Sequence, residues 1–217
     1  MTVSAPSDRT VVRKARILML LEAAEHAGLT PMPVLELHAF AYFANVLSPV
    51  WELMPQERSV LRRRGGPYYP ELQDDIDALV GRGLVSIEGL RHVEDEDGRW
   101  RLEGKFSIAD NGAITIATAL RAFQDEQRLF GFYRELAFAL ASIPDYQRAD
   151  AVAEDATYGD ERFGDGAIID FAEWKQANYS ENAARFFDRV MPEGRKATPA
   201  QKLHLYARHL QRRMASA

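Results

Sequence analysis

The sequence predicts a mainly α chain with a small β wing, followed by a helical C-terminal region. Three stretches carry that expectation. Leu72, Ile76, Leu79 and Val80 recur at i, i+4, i+7 and i+8, one apolar stripe of a helix closed by Gly81 and Gly83. Arg99 to Ile108 alternates strictly, with Trp100, Leu102, Phe106 and Ile108 on one side and Arg99, Arg101, Glu103, Lys105 and Ser107 on the other. Thr198-Pro199-Ala200-Gln201 is a capping box with proline at the first helical position, a specific helix start.

The elements follow in order. Residues 1–8 are a small, polar, Pro-containing lead expected to be flexible. A first helix is predicted from Arg9 to His26, ended by Gly28. Thr30 offers an N-cap hydroxyl and Pro31 a first helical position for a second helix to Leu47. That helix is apolar nearly all round, which predicts a central place. A basic segment, Glu57 to Arg64, leads through Gly65-Gly66-Pro67 into the striped helix. Leu84 to Ile87 reads as a strand, and Asp97-Gly98 as a hairpin turn into the alternating strand. Helix, helix, helix, strand, hairpin is the order of a winged helix, assigned to residues 9–111. Residues 112–217 form the helical C-terminal domain, with one long helix from Gly112 to Ser142, an acidic loop from Asp145 to Asp170, a short helix capped by Ser180, and the final helix.

Composition bounds the partners. The 217 residues carry a formal charge of -5, with 47% hydrophobic and 27% charged residues and no cysteine. Disulfides and thiolate metal sites are excluded, and a cytoplasmic location is expected. No apolar run reaches the length of a membrane span. The acidic balance argues against a global nucleic-acid binder, though not against a local basic patch.

Catalytic patterns are sparse. There is no phosphate loop, no Gly-x-Ser-x-Gly and no His-Glu-x-x-His, so no catalytic residue, metal ligand, cofactor or small-molecule substrate is assigned. His204 and His209 are spaced off one helix face. Asp95 or Asp97 followed by Glu103-Gly104-Lys105 matches the ligand spacing of many metal-dependent nucleases. Alternating charges on the wet face of a hairpin explain Glu103 and Lys105 more simply, as cross-strand partners. His38 lies within the apolar helix and reads as a core histidine.

Surface charge decides the functional expectation. A helix that reads the major groove approaches two rows of phosphates. Here Glu71, Asp74, Asp75 and Asp77 occupy the helix outside its stripe, and no Lys or Arg occurs from Tyr68 to Gly81. These carboxylates, with Tyr68 and Tyr69 as aromatic anchors, are the expected protein-binding surface. A solvated face and dipole complementarity in the first turn are the plainer account of the same charges. Arg62, Arg63, Arg64, Arg99 and Arg101 are the expected nucleic-acid contacts of the alternative, a DNA-binding transcriptional regulator.

Tyr69-Pro70-x-Leu72, Leu79, Gly83-Leu84-Val85 and Phe106 to Gly112 resemble the recognition-helix and wing pattern of PadR-type regulators. Gly66-Pro67-Tyr68, Ile169-Asp170-Phe171 with Trp174, Asn178-Tyr179-Ser180 and Leu203-His204-Leu205-Tyr206 resemble the middle component of ABC three-component systems, the accessory subunit of Lamassu-type defence systems. The second resemblance implies a non-enzymatic winged-helix adaptor subunit. It would link an SMC-like ABC ATPase to an effector nuclease in a bacterial anti-phage complex, with DNA reached through the complex and no membrane partner.

Overall fold

The computed structural model describes residues 8–63, 65–94, 100–160, 163–171, 178–189, 191 and 195–216. It is mainly α, with eight α-helices and two three-stranded sheets among the described residues. The chain divides into two compact units, Met1–Val34 with Pro70–Phe130, and Leu35–Tyr69 with Gly131–Ala217. This division differs from the predicted cut after residue 111. Its physical origin is the second helix, α2 (Val34–Leu47), in which every residue from Leu37 to Leu47 is buried. A helix apolar on all sides must be surrounded, and its partners in the second unit come from both of that unit's segments, Tyr69 from one and Asp155 and Asn178 from the other.

The first unit contains α1 (Asp8–His26), β1 (Met32–Pro33), α3 (Pro70–Val80), β4 (Val85–Glu94), β5 (Trp100–Ile108) and α4 (Asp110–Ala122). Its sheet is antiparallel in the order β1-β5-β4. Ile17, Leu20 and Leu21 of α1, Leu72, Ile76 and Leu79 of α3, Met32 and Phe106 supply its core. The predicted Thr30 cap does not form. Met32 pairs with Phe106 in the sheet, and the Thr30 hydroxyl donates to Glu25 at 2.6 Å. Residues before proline avoid the helical region, and Met32, which the predicted helix would need as its second residue, precedes Pro33. The strand after α3 runs to Glu94, beyond the predicted Ile87, with an irregularity between Glu88 and Arg91. Gly89 has φ 61° there, a conformation that favours glycine. The predicted Asp97-Gly98 turn lies outside the described residues.

The predicted 112–142 helix is two helices, α4 and α5 (Gln124–Ala141), separated at Phe123, whose φ of -126° and ψ of 108° are extended. Gly112 begins the packed side of α4 for a steric reason. A Cβ there would lie 2.2 Å from the Leu84 carbonyl oxygen.

The second unit adds β2 (Ser59–Arg63), β3 (Gly66–Tyr68), α6 (Asp145–Arg148), β6 (Ile168–Asp170), α7 (Tyr179–Phe186) and α8 (Pro199–Met214). Its sheet runs β3-β2-β6, all antiparallel. The segment read as a basic link is therefore a central strand, and the acidic loop contributes β6. Asn178, not Ser180, caps α7, its side chain accepting from the Glu181 N–H. At α8 the capping box of Thr198 and Gln201 forms as the sequence predicts. No helix among the described residues is long and apolar enough to cross a membrane.

Candidate functional site

The four carboxylates of α3 separate into two kinds. Asp75 is buried, at 4% exposure. It accepts a charge-assisted hydrogen bond from Nε of Arg13 on α1, and Lys14 Nζ lies 3.5 Å from its other oxygen. Arg13 also reaches Glu71 at 3.0 Å, although the Glu71 side chain is 64% exposed. Asp74 and Asp77 face solvent, and the Gln73 amide donates to Asp77 at 3.1 Å. Asp75 is thus withdrawn from the predicted binding surface, which keeps Glu71, Asp74 and Asp77. The sequence held the signal. Asp75 lies three residues after Leu72 and four before Leu79, on the apolar stripe itself. A carboxylate at such a position requires a cation.

The predicted aromatic anchors also divide. Tyr69 is buried, at 4% exposure; its hydroxyl accepts from Asn45 at 2.9 Å, and its backbone N–H donates to His38 Nδ1 at 3.1 Å. Burial pushes the Tyr69 hydroxyl well above the ordinary tyrosine value. Tyr69 is therefore a core residue rather than an anchor, because its polar groups find internal partners. His38 is the buried core histidine expected. Tyr68 is half-buried, with the Arg63 guanidinium 3.8 Å from its ring centroid. Tyr68 and Tyr69 belong to the second unit and the α3 carboxylates to the first.

The predicted phosphate contacts are engaged with protein where they are described. Arg62 donates to the Asp160 carbonyl at 3.0 Å and stands 5.2 Å from the Tyr158 ring. The Tyr158 hydroxyl donates to the Arg63 carbonyl at 2.9 Å, fixing the strand between the two arginines. Arg64 and Arg99 lie outside the described residues, as does the Arg101 side chain. In the β4–β5 pair, Arg91 is paired in register with Glu103 and bonds it at 3.1 Å, and Lys105 stands opposite Glu88. These are the cross-strand partners expected of a wet face. Asp95 and Asp97 lie outside the described residues. No group of three or more His, Asp or Glu among the described residues is placed to hold a metal ion.

Sequence reasoning missed a highly connected buried carboxylate of the second unit. Asp155 is 1% exposed. Its Oδ1 accepts from the Tyr42 hydroxyl at 2.6 Å, from the Ser180 hydroxyl and from the backbone N–H groups of Thr157 and Tyr158, each at 2.9 Å. Its Oδ2 accepts from the Tyr206 hydroxyl at 2.6 Å. Thr157 and Ser180 hydroxyls are 2.6 Å apart and extend the network. Burial, then the charge of Asp155, pushes Tyr42 and Tyr206 well above the ordinary tyrosine value. The signal was indirect. Tyr42 and Tyr206 sit on apolar faces, and buried tyrosine hydroxyls need partners. This arrangement joins α2, α7, α8 and the 155–158 turn, and every one of those donors is spent on holding them together.

The chain matches no family model, no curated protein and no solved structure.

Proposed function

We propose that the chain is a non-enzymatic winged-helix adaptor, a subunit that links an SMC-like ABC ATPase to an effector nuclease in a bacterial anti-phage complex. The β1-β5-β4 sheet, with α3 preceding the β4–β5 pair, supports the winged-helix reading of the first unit. The observation that carries the adaptor reading is the outward face of α3. After Asp75 is matched internally by Arg13 and Lys14, Glu71, Asp74 and Asp77 still present carboxylates to solvent. Arg13 answers Glu71 as well as Asp75, and both cations are turned inward, with side chains 17% and 16% exposed, so Asp74 and Asp77 carry the field that would meet a DNA backbone. An acidic helix of this kind selects a basic protein surface through charge complementarity.

Co-expression of the full chain with any SMC-like ABC ATPase found to be encoded beside it tests the reading. The expected result is a stable complex that Asp74→Lys with Asp77→Lys weakens by about tenfold or more. Recovery of the chain alone would overturn it. If the double variant instead gains salt-sensitive duplex affinity while the complex persists, α3 is a repelling face and not the docking element.

A further inference from the structure

The exposed face of α4 in the first unit is complementary to itself. Asp110, Ile114, Ala117, Thr118 and Arg121 are all exposed, and at 3.6 residues per turn they form one stripe about three turns long. Gly112 and Ile116 mark the opposite, buried side. The stripe begins with an acid in the first turn and ends with a base in the last. Between them stand Ile114, 65% exposed, and the small Ala117. The Thr115 and Thr118 hydroxyls donate to the carbonyls of Asn111 and Ile114 at 2.7 and 2.9 Å, and the Thr118 hydroxyl accepts from the exposed Arg121 guanidinium at 3.2 Å. Phe123, 61% exposed, stands at the same end as Arg121.

We infer that this face binds a second copy of the chain, with the two α4 helices antiparallel about a two-fold axis. In that pairing Asp110 of each copy meets Arg121 of the other, and Ile114 of each fills the space beside Ala117 of the other. An isologous contact requires this reciprocity, and the sequence of the stripe supplies it at both ends and in the middle. The antiparallel orientation also sets opposite helix dipoles side by side. A pairing through one 13-residue helix buries less than the roughly 1,200 Å² of a standard interface, so the dimer is reversible.

Sedimentation velocity of the full chain over a concentration series tests it. The mass should rise from 24.5 kDa toward twice that value as concentration increases. Ile114→Lys, at an exposed position, should keep the chain monomeric throughout with an unchanged circular dichroism spectrum. Asp110→Arg and Arg121→Asp should each weaken association about tenfold, and the double variant should restore it. Within one copy the two residues are about 16 Å apart along the helix, too far to interact, so restoration reports contact between copies. A chain that stays at 24.5 kDa at every concentration overturns the proposal. So does association that survives Ile114→Lys, or that the charge exchange fails to restore.

Discussion

The hydroxyl of Tyr206 donates to Oδ2 of Asp155 at 2.6 Å, tying the last helix to a turn that the sequence presents as an acidic loop. Four further donors meet the other oxygen of the same carboxylate. Asn in place of Asp would turn an amide toward this shell and give up the charge that strengthens each bond. Asp155→Asn should destabilise the chain by about 3 kcal/mol, and Tyr206→Phe by about 1–2 kcal/mol, read by chemical denaturation.

The tyrosines of this network set an alkaline limit. Their folded-state values lie above the unfolded one, so their contribution is fully present below the ordinary tyrosine pKa of about 10 and is lost as pH rises beyond it. Thermal stability should fall steeply above that pH. Tyrosinate absorbance should develop together with unfolding rather than before it. Early titration of Tyr42 and Tyr206 in the folded chain would contradict the arrangement.

On the acidic side, His209 provides a smaller effect. Burial, and then the nearby Arg213 and Arg212, lowers its pKa. The unfolded chain then binds this proton more readily, so stability should decline as pH falls through about 6.5. His209→Gln should flatten that part of a stability-against-pH curve.

Two neighbouring carboxylates on α3 should respond in opposite ways. Asp75 holds Arg13 and Lys14 at a buried position, so Asp75→Asn should cost about 3 kcal/mol by leaving Lys14 without its acid and Arg13 with only the exposed Glu71. Asp74→Asn, at an exposed position, should change stability by less than about 0.5 kcal/mol. Urea midpoints of the two variants make the comparison direct.

Gly112 is the strictest steric position among the described glycines. Its added Cβ would meet the Leu84 carbonyl oxygen at 2.2 Å and Ile108 Cγ1 at 2.9 Å. Backbone cannot yield as a side chain can, so Gly112→Ala should lower stability by at least about 2 kcal/mol. Helix propensity alone would give the opposite sign.

Much of the local structure was legible. The stripe of Leu72, Ile76 and Leu79, the capping box at Thr198 and the buried girth of α2 are all local patterns, and all formed. What the sequence concealed was pairing at long range. Val60 pairs with Ile169 across more than a hundred residues, and neither flanking segment shows enough alternation to mark a strand. The same limit applied to the candidate site. Asp75 read as surface until Arg13, 62 residues earlier in the chain, was seen to meet it. Charge counting along a helix gives the sign of a face but does not reveal which charges are answered from elsewhere.

The interleaving of the two units governs how the protein can be dissected. The chain passes between them after Val34, after Tyr69 and after Phe130, the last within α5. Trimming from the C-terminal end back to Phe130 would strip α2 of α7 and α8 while leaving its buried faces behind. No single cut yields either body whole. Fragment mapping by serial deletion would therefore report aggregation in place of lost binding, and point substitutions on intact chain are the sound way to locate its contacts.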